Sequence, residues 1–137
     1  MTTRFFSALQ AIGSLFLGSL LYVLFRENTF FHSFFNLKGL FVSAQIPLGT
    51  LLRYYFPDFL WAYSLCCSFM TLYPQKEFRI FCPIPWVTFG TGLAFEAAQF
   101  FHLVHGTGDI ADTLLYLSAA FAAYGIIIQH QNKEKKQ

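Results

Sequence analysis

Charge is what this sequence has least of. Only 12% of its 137 residues are Asp, Glu, Lys or Arg, and 55% are hydrophobic, 19 of them Phe. A soluble domain of this size covers itself with charged surface. Here the charges fall in a few clumps separated by long neutral runs, and the mean hydropathy is positive. The composition excludes a soluble globular domain and points to an integral membrane protein. Cysteine is scarce as well: Cys66, Cys67 and Cys82 all lie in or beside apolar runs. That excludes a disulfide framework, a zinc ribbon and haem attachment, and leaves the three as small buried hydrophobes. The sequence has no Gly-x-Ser-x-Gly, no Gly-rich phosphate loop followed by Lys, and no kinase or nucleotide signature. Nucleic acid is therefore not an expected partner and no cofactor is called for. The basic tail, Lys133, Lys135 and Lys136, attracts anionic lipid at about 1 kcal/mol per residue.

What is there is a set of apolar runs long enough to be membrane helices. Residues 5–25, bracketed by Arg4 and Arg26, carry no charge and match a hydrocarbon layer of about 30 Å at about 1.5 Å per residue. With no convincing cleavage site after it, this run reads as a retained helix and not a signal peptide. A second helix is expected over 58–73, opened by Pro57-Asp58 and collared by Tyr54, Tyr55 and Phe56. Ser64, Ser68 and Thr71 form one stripe on it, suited to packing on another helix. A third is expected over 85–104, with Pro83 and Pro85 at its start, and a fourth over 109–128 after the Gly106-Thr107-Gly108 corner. The fold class is all-α: a four-helix membrane bundle in one domain, residues 1–128, with 129–137 a frayed polar cytoplasmic tail. Residues 27–57 are mixed, apolar but broken by Lys38, Pro47 and Arg53. They read as interfacial or re-entrant, and on length alone 39–52 remains open as a fifth crossing.

Four crossings place Arg4, Lys76, Arg79, Lys133, Lys135 and Lys136 on one side and Arg26, Lys38 and Arg53 on the other. The basic excess puts both termini in the cytoplasm of a multi-pass cell-membrane protein. The outer end then gathers the polar chemistry: Asp58, Glu96, Gln99, Asp109, Asp112 and Tyr116. Glu96 lies roughly two turns inside the third helix, where an ionised carboxylate costs several kcal/mol unless paired, hydrated or protonated. Its bland reading is a protonated acid hydrogen-bonded to Gln99 or to a hydroxyl of the second helix. Asp109 reads as a helix cap, while Asp112, in line with Tyr116, Ala119 and Ala123, points into the bundle. His102 and His105 stand three apart near a corner, not four apart on one face, so no metal is expected.

Together Pro57-Asp58, Glu96-x-x-Gln99 and Gly106-Thr107-Gly108-Asp109-x-x-Asp112, followed by Tyr116, resemble the VanZ-like membrane proteins over about residues 56–125. The resemblance implies a four-helix bundle with acidic and amide side chains gathered toward the outer face, and a link to glycopeptide resistance in some members. The chain departs from the pattern at Phe59 and Ala62, where many members carry a basic residue and a His, and at Tyr116, where Asn is common. Three functions follow as expectations. The first is a membrane protein whose acidic pocket binds a lipid headgroup or cell-envelope ligand. The second is an enzyme acting on a lipid-linked substrate with Glu96 and Asp112 as acid and base. The third is an ion-coupled carrier titrating at Glu96. Against all three stands a structural protein whose acids only cap helices.

Overall fold

A backbone surrounded by apolar side chains must satisfy its N–H and C=O groups within its own segment, and helices do so residue by residue. The computed structural model describes residues 2–25, 49, 54–73, 82–104 and 109–136. Four helices account for most of them: α1 (Thr3–Phe25), α2 (Phe56–Leu72), α3 (Ile84–Phe100) and α4 (Ile110–Glu134). No strand occurs among the described residues. Proline stands in the first turn of both α2 and α3, where a missing N–H costs nothing. Asp109 caps α4, its Oδ1 accepting from the Ala111 N–H at 2.9 Å. By length and hydropathy α1 and α4 can each cross a membrane.

Successive helices run antiparallel. The Ser7 and Thr71 hydroxyls meet at 2.8 Å, and the Ser64 hydroxyl donates to the Ala11 carbonyl at 2.7 Å, so the start of α1 lies beside the end of α2. The expected hydroxyl stripe thus packs on α1 at Ser64 and Thr71. Gly18 accommodates the Trp61 indole, which leaves no room for a side chain there. At the termini, Thr3 donates its backbone N–H to Glu134 at 3.1 Å and its hydroxyl to the same carboxylate oxygen. The Phe6 and His130 rings stack beside this pair. Both chain ends therefore lie at one end of the bundle.

The α2 and α4 helices form the centre, with α1 flanking one side and α3 the other. Between them lie Ala62, Cys66, Cys67, Met70, Ala119, Ala120, Ala123 and Ile127. Small residues dominate that list, so the backbones come close: the Cys66 thiol donates to the Ala120 carbonyl at 3.4 Å. All three cysteines are free and buried. The large side chains are outside, among them Phe5, Ile12, Phe16, Trp86, Phe95, Leu114 and Phe121.

Two helix ends differ from expectation. At the end away from the termini α3 stops at Phe100, not at 104, because His102 turns left-handed with φ 56°. The Leu103 N–H then reaches the Ala98 carbonyl and the His102 N–H the Gln99 carbonyl, both at 2.9 Å, which is a Schellman cap. At the other end α4 runs on to Glu134, so most of the stretch expected to fray is helical, anchored by Thr3 and by buried Gln131. The interfacial or re-entrant segment expected over 27–57 lies outside the described residues except for Gly49 and 54–57. So do the 74–79 turn, His105 and the Gly106-Thr107-Gly108 corner.

Candidate functional site

The α3–α4 hairpin brings together residues 13 and 20 apart in sequence. Glu96, on the face of α3 turned toward α4, is only 6% exposed. Its Oε2 accepts the Asp109 backbone N–H at 2.9 Å and its Oε1 accepts the Tyr116 hydroxyl at 2.8 Å. Both carboxylate oxygens therefore act as acceptors, one of them for an N–H at the start of α4 that no residue within that helix can satisfy. These partners differ from those expected. The sequence suggested Gln99 or a hydroxyl of α2, but Gln99 stands nearly a full turn further on, and no hydrogen bond joins its side chain to the cluster among the described residues. The hydroxyl comes from α4 instead.

Tyr116 is the hub. Its ring lies against Gly92 of α3, close enough that any Cβ at Gly92 would collide with it. Its hydroxyl lies within electrostatic reach of Asp58 and Asp112 as well as Glu96. Asp58 opens α2 and Asp112 stands in the first turn of α4, so three helices contribute carboxylates to one end of the bundle. Asp109 is an exposed cap, joined to the cluster through its backbone and not its carboxylate. Of the six sequence-predicted residues, then, Glu96, Asp109 and Tyr116 are joined directly, Asp58 and Asp112 border them, and Gln99 stands apart.

Beside this cluster the facing walls of α2 and α3 part, leaving a groove of about 270 Å³ floored by Tyr116. Asp58 marks its polar end, while Trp61, Leu65 and Phe95 line its sides together with Thr88 and Thr91. The two threonine hydroxyls turn back to the carbonyls of Ile84 and Val87, at 3.0 and 2.9 Å, so their donors are satisfied within α3. Sequence reading missed these wall residues, because single Thr and aromatic residues in an apolar helix carry no signal. The one cue was Gly92, a helix-interior glycine where a neighbour comes close.

Among the described residues no group of three or more His, Cys, Asp or Glu side chains is arranged to hold a metal ion. No protein-family model, curated protein or solved structure matches the chain.

Proposed function

We propose that all four helices cross a cell membrane with both termini in the cytoplasm. In this reading the groove between α2 and α3 receives a lipid or cell-envelope ligand, its polar head beside Asp58, Tyr116 and Asp112. The membrane reading is supported by the distribution of side chains: large apolar residues face outward while alanines, cysteines and hydroxyls face inward. The α2 and α3 helices, at 17 residues each, are at the short end of what a bilayer core requires. The observation that carries the ligand reading is the groove itself, apolar along its walls and acidic at one end. Such a shape suits an amphiphile. The resemblance to VanZ-like proteins supports the same site, and with it a cell-envelope role that in some members extends to glycopeptide resistance.

A structural reading has its own observation, since both Glu96 oxygens are already engaged in joining α3 to α4. The two separate experimentally. Native mass spectrometry from mild detergent is expected to show a retained lipid-sized adduct that is lost in Asp58→Asn and Asp112→Asn, with melting unchanged. An adduct equally retained in both variants, or none in the parent, would leave the cluster as a helix clasp.

A further inference from the structure

Gln10 is the only amide side chain in α1, on a flank whose other polar side chain, Ser14, turns its hydroxyl to the Gln10 and Ala11 carbonyls. Its Oε1 accepts the Tyr63 hydroxyl at 3.3 Å, a long bond, and its two N–H donors have no hydrogen-bond partner among the described residues. Gln10 borders a second groove, about 410 Å³, walled by Leu9, Gly13 and Leu17 of α1, Phe59 and Tyr63 of α2 and Ile126 of α4. In a membrane, which is the reading this step rests on, hydrocarbon filling that groove would leave the amide donors unsatisfied. An occupant that brings an acceptor removes the cost.

Gly13, three residues on from Gln10, marks where that occupant approaches. A Cβ built there meets nothing within 4 Å, in contrast to Gly18, whose space is filled by Trp61. Backbone is therefore open to close approach on this flank of α1, beside the Gln10 amide. An amide carries a donor and an acceptor of opposite partial charge, so it is electrostatically complementary to a second copy of itself. Two chains inserted in the same direction and related by a two-fold axis along this flank would each donate from Gln10 to the other's Oε1.

We infer that the Gln10–Gly13 flank of α1 is the interface of a parallel homodimer in the membrane. The test is single-molecule photobleaching of full-length protein carrying one fluorophore, reconstituted in phosphatidylcholine vesicles over a range of protein-to-lipid ratios. The parent is expected to pass from one-step to two-step bleaching as density rises. Both Gln10→Leu and Gly13→Leu are expected to weaken association about tenfold, while Leu15→Ala on the opposite flank leaves it unchanged. A Cβ at Gly13 has nothing within 4 Å among the described residues, so the melting of Gly13→Leu should match the parent and it remains informative even if Gln10→Leu folds poorly. A parent that stays monomeric at every density, or a dimer indifferent to Gln10→Leu or to Gly13→Leu, would overturn the inference.

Discussion

At Glu96 one carboxylate meets two different donors, and the difference between them sets what substitution does. The Asp109 N–H can only donate, whereas the Tyr116 hydroxyl can rotate and accept. Glu96→Gln can keep its oxygen on the N–H and turn its NH2 toward Tyr116, so it is expected to cost about 1 kcal/mol or less. Glu96→Ala leaves the Asp109 N–H and the Tyr116 hydroxyl without their shared acceptor and is expected to cost about 1–3 kcal/mol. Thermal melting in detergent distinguishes the two, and near-parental melting of the Gln variant would also qualify it for ligand-retention experiments. Gly92 constrains the same hydroxyl from behind. A Val there must displace the Tyr116 ring, at about 1–3 kcal/mol, and with it the hydrogen bond to Glu96. Melting of Gly92→Val no lower than the parent would mean that the ring is not wedged as described.

At the scale of the helix, ends matter more than middles. His102 holds a left-handed conformation that usually falls to glycine, so His102→Gly is expected to raise stability by about 1 kcal/mol without changing α3. A melting temperature that falls would show that the imidazole contributes more than the backbone strain costs. The other end of the bundle is sensitive to acid. Accepting the Thr3 hydroxyl bond holds the Glu134 carboxyl below its ordinary value, with the Thr3 N–H and nearby positive charge acting the same way. A lowered folded value stabilises the clasp above about pH 4.5 and loses that stabilisation as pH falls through the folded value. Amide exchange at the first turn of α1 should therefore speed up below that range in the parent and be nearly pH-independent in Glu134→Gln after correction for intrinsic rates. These ends were the least legible features. The existence and order of the helices followed from uncharged runs and from Pro57, Pro83 and Pro85. The Ser64 and Thr71 stripe and the inward Ala119 and Ala123 followed from spacing. The Schellman turn did not, because His102 is an improbable residue for it, and neither did the helical 129–134, whose anchor is Thr3 at the far end of the sequence. At the site, acids were legible as types, since charge is rare here. Their partners were not, because Tyr116 and the Asp109 N–H reach Glu96 only once the hairpin has closed.

For the whole molecule the decisive property is that adjacent helices alternate in direction. Thr3 touches Glu134, and Phe25 and Phe56 face the other end together, so α1 and α2 belong to an up-down pair. If the bundle lies in a membrane, an even number of crossings follows, and both termini share a side. The sign of that side, cytoplasmic in the proposal, rests on the basic excess read from the sequence. Cysteine labelling on intact cells tests both parts at once, because Cys66, Cys67 and Cys82 are buried and replaceable by Ala in a background variant. A membrane-impermeant maleimide is expected to reach Ile110→Cys, 81% exposed at the acidic end. It should reach Thr2→Cys and Lys136→Cys only after permeabilisation. Labelling of the two terminal positions from opposite sides would break the alternation. Labelling of all three from outside would mean that the apolar exterior is covered by something other than lipid, and the groove between α2 and α3 would then face water and lose its reason to take an amphiphile.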